Sequence, residues 1–413
     1  MTDENTFTLS AEYFKYWIID RRERKIKVIL QDGRETSEPL AEDDHTLDSE
    51  VVCSIFDWEK WWIHSITKRN HIVFSEGYSP YTKDPLGGRP AVYLDQNHWN
   101  TVALSKIAPE RVASESELEG ALEIVRLAED AGIVLPLSSA HMLETGGLNG
   151  DRRYEMGVTM ASLSGGWQLR NPLTVWHQEA AQILANVLTA DPPANMDLPV
   201  VTLDPNALLS SGTRPEDLDP NGIELLFLAI SSPGVLVDIL LDPERDERLP
   251  ITMWIDHHAK ITEQFSRLPD SKEAKRKIAL RRFWNENLGI FQQEYRRMHT
   301  AKPFPGFSDK HLARFLKSTP MMGYLSGLFV QRFLDKSIRW KRNDLLDMFY
   351  LSCAAGYADY VVAEAHTGSQ LAQMQRARGP ARTVFTTLAQ LADALQSAGV
   401  QTASERRAQE GSS

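Results

Sequence analysis

The chain has 413 residues, 42% of them hydrophobic, enough to bury a substantial core across two or three domains. Its formal net charge of -11 argues against a polycationic nucleic-acid coat, because such binding draws on phosphate neutralisation by Lys and Arg, although basic residues gathered at one place can still grip a backbone. Two cysteines, Cys53 and Cys353, are too few for a disulfide framework, and with no charged-then-apolar leader the expectation is a cytoplasmic protein.

Residues 1–76 read as a small accessory unit. A helix is expected over Ala11 to Arg24, then a strand over Lys25 to Leu30, a turn at Asp32-Gly33 and a solvated acidic loop from Glu35 to Glu50. Asp57 is expected to cap a second helix bearing Trp58, Trp61, Trp62 and Ile66. These tryptophans either pack against the neighbouring domain or offer a base-stacking platform. Residues 77–90, with their prolines and glycines, read as a linker.

In Ala91-Val92-Tyr93-Leu94-Asp95-Gln96-Asn97, residues suited to a buried strand end in a carboxylate and two amides, which is how α/β folds present chemistry at a sheet edge. Ser114 and Glu117 make a capping box for a helix whose apolar face is Leu118, Leu122 and Val125, and Gly132 stops it. A strand over Ile133 to Leu137 follows. Ser138 or Ser139 then caps a helix with His141 and Glu144 one turn apart. Residues 91–170 thus form the first half of a parallel, Rossmann-like unit. The glycine-rich run before Arg152 and Arg153 lacks phosphate-loop spacing, and those two arginines either meet RNA phosphates or make solvated salt bridges.

Residues 171–310 read as a mainly helical insertion. Its proline-dense middle, Asp191 to Pro250, suits short helices such as Gly222 to Ile230. The apolar run Ile223 to Leu241 is broken by Glu224, Pro233 and Asp238, so no membrane span is expected. Further on, Arg281 and Arg282 interleave with Phe283 and Trp284, either as a nucleic-acid-facing surface or as a charged helix face whose aromatics are core. His257 and His258 are adjacent, so on a helix they point about 100° apart and do not suit one zinc ion. Residues 311–400 make the second half. Lys341 and Arg342 precede Asp344 and Asp347, an apolar helix follows, and the strand Asp359 to Ala363 ends at Glu364. A last strand and a helix opened by Thr387 and Gln390 complete it, and 401–413 reads as a disordered tail.

This order of acidic motifs resembles the PIN-like domains, metal-dependent nucleases that mostly act on RNA. Asp95 and Asn97 match the family's opening-strand Asp and following Asn, Glu144 its mid-domain helix Glu, and Asp347 the Asp that starts its third acidic helix. Glu364 falls where the family usually has a fourth Asp, a departure whose longer side chain can still reach a metal through water. The resemblance implies a three-layer, Rossmann-like α/β core with a parallel central sheet. It also implies Mg2+ or Mn2+ held by Asp95, Glu144, Asp347 and Glu364, with Asn97, Asp344 and Asp359 in support. Converging carboxylates repel unless a cation neutralises them, and such an ion can activate a water against a phosphodiester. The expected function is endoribonuclease, toxin-like or defence-related, with RNA as substrate and a regulatory protein as partner. A DNA-acting nuclease of the same fold and a noncatalytic scaffold are the alternatives.

Overall fold

The computed structural model describes residues 13–40, 49–79, 82–188, 198–209, 223–242, 252–269, 271–298, 303–335, 337, 339–341, 344–379 and 383–411. Its largest sheet comes first in the chain: β1 (Phe14–Asp20), β2 (Lys25–Leu30), β3 (Glu35–Pro39), β4 (Val51–Asp57), β5 (Trp62–Thr67) and β6 (Ile72–Glu76). All neighbours are antiparallel, in the order β3-β2-β1-β4-β5-β6. Two expected helices are therefore strands and turns. Phe14, Tyr16, Trp17, Ile18 and Ile19 are aromatic or β-branched, which suits a pleated, half-buried surface better than a helix. Asp57 caps no helix: its Oδ1 accepts the backbone N–H groups of Glu59 and Lys60 at 3.0 Å each, and Trp61 takes a left-handed φ of 53° to close the turn between β4 and β5.

A second, small sheet holds the strands of interest. β7 (Val92–Leu94), β10 (Tyr360–Val362) and β11 (Val384–Phe385) are parallel in the order β11-β10-β7, with Leu94 opposite Val362. The main sheet is thus antiparallel and lies outside this unit, and the expected three-layer core around a parallel central sheet is not what the chain forms. The expected strand over Ile133 to Leu137 is an extended buried segment with bridges only at Val134, to Ala91, and at Leu137, to Gln168. Pro136 has no N–H to give to a ladder. Helices supply the remaining layers.

After β7 come α1 (Gln96–Ile107), α2 (Glu115–Glu129), α3 (Ser139–Thr145) and α4 (Gly150–Ser164). Ser114 caps α2 by accepting from Glu117 N, but the Glu117 carboxylate does not turn back to complete a box; it accepts from Leu388 N and Ala389 N at 3.3 and 3.2 Å. Leu122, expected on the apolar face of α2, is 47% exposed. A two-stranded pair, β8 (Gln168–Leu169) with β9 (Val201–Thr202), flanks α5 (Pro172–Leu188). α6 runs unbroken from Ile223 to Leu241 through Pro233, not as the shorter helix expected, because burial of Leu236, Val237, Leu240 and Leu241 against α4 and the six-stranded sheet holds it. No helix among the described residues is long and apolar enough to cross a membrane.

α7 (Thr252–Arg267), α8 (Lys272–Arg297), α9 (Asp309–Ser318) and α10 (Pro320–Leu334) build a helical layer in which α10 packs on α7, α8 and α11 (Asp344–Tyr357). The buried Glu179 of α5 accepts the amides of Met321 and Met322 at 2.6 and 2.8 Å, satisfying donors at the start of α10 that the helix cannot satisfy itself. α12 (Ala365–Arg376), α13 (Leu388–Ser397) and α14 (Ala403–Glu410) end the chain. The expected disordered tail holds α14, started by a Thr402/Glu405 capping box and tied to α2 by Arg126–Glu405 at 2.7 Å.

Candidate active site at the acidic edge of the parallel sheet

β7 and β10 run parallel in register, so the residues that follow them emerge at one edge. Asp95 follows Leu94 and caps α1, accepting an amide that the helix start leaves without an acceptor. Glu364 follows Val362 and Ala363 and stands at the N-cap position of α12, without a side-chain bond to that helix's amides. Glu364 N donates to Asp95 Oδ2 at 2.5 Å, and Asn97 Nδ2 donates to Glu364 Oε1. Asp95 Oδ1 takes the N–H of His98 at 3.2 Å and the His98 ring Nδ1 at 2.6 Å.

Glu144, from α3, and Asp347, from the first turn of α11, complete the edge. Burial pushes the Glu144 carboxyl up to about 7, with the charges of Asp95 and Glu364 adding to it. Burial likewise pushes Asp347 up to about 7, reinforced by Glu144, Asp344, Asp95 and Glu364. Glu144 and Asp347 both feel the charges of Asp95 and Glu364, which marks the four as one acidic cluster. Among the described residues no Lys or Arg makes an ion pair with Glu144, Asp347 or Glu364.

Two residues here escaped the sequence reading. His98 sits under Asp95 with its Nε2 3.3 Å from the Thr386 carbonyl, so both ring nitrogens face acceptors. Burial opposes its charged form, but the Asp95 carboxylate outweighs that and its pKa is raised. Gln96 donates to Thr145 Oγ1 at 3.1 Å, while its Oε1 is buried without a partner among the described residues. The signal for His98 was its place three residues after a capping Asp, where a side chain can reach back to the cap. His141 occupies the same position in α3: Nδ1 accepts from Ser138 N at 3.1 Å, so Nε2 donates to the Leu94 carbonyl at 2.8 Å. Burial lowers its pKa to about 4, leaving a neutral structural imidazole behind the acidic edge.

No family model, curated protein or solved structure matches this chain.

The other residues named from sequence divide between this edge and elsewhere. Asp344 is buried and held by Arg332, at 2.6 and 3.1 Å, and by Lys341 N, which commits its oxygens. Asp359 stands at the opposite end of β10, where its Oδ2 accepts Ala91 N at 2.8 Å and fixes the pairing with β7; it does not reach the acidic edge. Arg153 is buried, donating to the carbonyls of Ile239 and Leu240 at the end of α6, so it is not available to a phosphate. Arg152 is exposed beside α1, 3.5 Å from Asn100 Oδ1, and Lys341 is exposed at the start of α11. Arg342 lies outside the described residues. On α8, Arg282 pairs with Glu286 at 2.9 Å, Arg281 is exposed beside it, and Phe283 and Trp284 are core. That helix packs on α5 and α10, away from the edge.

Among the described residues no three His, Cys, Asp or Glu side chains stand arranged as a ready metal cage. Two of the four carboxylates are turned to protein donors, Asp95 to His98 and Glu364 N, and Glu364 to Asn97. The donor chemistry nevertheless suits a hard divalent cation: four carboxylates that repel one another, plus the orphaned Gln96 Oε1.

Proposed function

We propose that the protein is a Mg2+- or Mn2+-dependent endoribonuclease acting in the cytoplasm under the control of a protein partner. One observation carries the reading: four carboxylates share an edge, and two of them are pushed to about 7 by burial and by the charges of neighbouring acids. Carboxylates so placed favour either protons or a metal cation. Asp95, Glu144, Asp347 and Glu364 would hold the ion, which when bound supplies a water of lowered pKa and stabilises charge on a phosphodiester. The chain itself orients Asp95 through His98 and the Glu364 amide, and the starts of α1 and α12 present N–H groups and partial positive charge to a substrate phosphate. Arg152 and Lys341 would contact the phosphates on either side. The likeness to PIN-like nucleases rests on the order of the acids, not on the sheet.

The test is cleavage of end-labelled single-stranded RNA and same-sequence DNA with Mg2+, Mn2+ or EDTA, beside Asp95→Asn. RNA cut only with metal and only by the wild type supports the reading. Full activity of Asp95→Asn refutes the acidic edge as the catalytic site, and no cleavage of either strand by folded wild type turns the assignment to a noncatalytic binding protein.

A further inference from the structure

Among the described residues one face of the β5–β6 hairpin is left exposed yet is aromatic. Trp62, Ile72 and Phe74 are 45%, 54% and 53% exposed, whereas Ile63 and Val73, on the reverse face, are fully buried. Trp62 pairs with Glu76 and His64 with Phe74, so Trp62 and Phe74 are diagonal neighbours on one face, roughly 7–8 Å apart by sheet geometry. Exposed aromatic side chains at that spacing offer successive flat platforms.

These platforms border a groove. Two cavities, of about 690 and 400 Å³, share Trp62 and Glu76 as a common wall. The larger runs past Phe74 to Arg89, Trp167 and Arg406; the smaller runs past Lys60 and Lys83. Its acids are neutralised: Glu76 is held bidentately by Arg89 at 2.6 and 2.8 Å, and Glu129 by Lys106. Its other cations are not. Lys60, 5.5 Å above the Trp62 ring, and Lys83 are exposed, and Arg406 donates only to the carbonyls of Gln401 and Ala131. Among the described residues none of the three makes an ion pair. The groove is therefore locally cationic on a chain of net charge -11.

We infer that this groove binds a single-stranded nucleic acid, whose bases stack on Trp62 and Phe74 while Lys60, Lys83 and Arg406 neutralise its phosphates. An apolar protein segment would need neither the surplus of positive charge nor the lysine poised over an exposed ring. A duplex keeps its base faces stacked inside, so it cannot use the platforms. The groove borders Arg89, Ile133 and Val134, at the starts of β7 and of the extended segment beside it, so it lies at the opposite end of the parallel sheet from Asp95. It is a separate site, and it holds a strand whether or not the acidic edge cuts.

The experiment measures fluorescence anisotropy of 5′-fluorescein-labelled oligouridylate and oligothymidylate with the full-length chain in EDTA, so that cleavage plays no part. Variants are Trp62→Ala/Phe74→Ala and Lys60→Glu/Lys83→Glu, all exposed positions, each checked by circular dichroism and thermal melting. Wild type should bind both single strands better than the matched duplexes. The aromatic pair should weaken binding at least about thirtyfold, the low end of two lost stacking contacts. The charge pair should weaken it and flatten its dependence on salt. A difference between the two oligomers assigns RNA or DNA. No binding by wild type, or equal binding by folded variants, overturns the inference. So does a self-association of wild type that Trp62→Ala/Phe74→Ala abolishes, which would give the groove to a second copy of the chain.

Discussion

Glu144 and Asp347 make the acidic edge a source of pH-dependent instability. Their folded values lie near 7, whereas in the unfolded chain such groups ionise near 4. Between those limits the folded state binds more protons, so stability falls as pH rises through the window and is lowest above it. His98 acts in the same direction, since its raised pKa gives stability that is complete below its unfolded value and lost as pH rises through the folded one. Thermal melts in EDTA should therefore show a Tm that declines from pH 5 to 8. At pH 8, Glu144→Gln or Asp347→Asn should be more stable than wild type by roughly 2 kcal/mol, allowing for the coupling between the two acids. A flat profile would contradict the burial assigned to both. Mg2+ or Mn2+ at pH 8 should raise the wild-type Tm and leave Asp95→Asn unmoved, because only a ligand of the folded state stabilises it.

At the scale of elements, the strands and helices around the edge are held by contacts from far along the chain. α2 crosses α13 at Gly120, where an added Cβ would stand 2.6 Å from Ala389 N. That amide is one of the two capped by Glu117, so the helix cannot back away without losing its cap. Gly120→Ala should cost about 1–3 kcal/mol by overpacking, measured by urea denaturation, despite the gain in helix propensity. Among the described residues Arg332 on α10 is the ion-pair partner of the buried Asp344, and through it α10 is locked to the first turn of α11, which carries Asp347. Arg332→Ala leaves a buried carboxylate unpaired and should cost ~3–5 kcal/mol. An effect near zero would mean that Asp344 finds water or another donor once the guanidinium is gone.

At the scale of the whole molecule, the six-stranded sheet is joined to the parallel unit by Arg89, which grips Glu76 of β6 and lies 5.4 Å from the Trp167 ring, while the Trp167 Nε1 donates to the same carboxylate at 3.1 Å. Arg89→Ala should loosen this junction. Amide exchange is expected to quicken in β5 and β6, with β10 and α11 unchanged; equal quickening everywhere would show that the contact supports the global fold instead. Much of the molecule's local grammar is legible in its residues. The apolar run that stops at Asp95, the caps Ser114, Ser138 and Thr387, and the acid after β10 are set by interactions within a few residues: strand burial, a missing acceptor at a helix start, a side chain that supplies it.

What only the tertiary structure decided lies at longer range. The aromatic run near the start became strands because its neighbours across the sheet could bury one face, and the same pleat left Trp62 and Phe74 exposed on the other. Asp359 is committed to Ala91, Asp344 to Arg332 and Arg153 to the end of α6, partners that no local spacing reveals. The sequence by itself determined which residues could end a strand or cap a helix, and hence where carboxylates emerge. Their partners, charge states and freedom to meet a ligand were decided by burial and by groups brought from distant parts of the chain, because a side chain's electrostatics depend on everything packed around it.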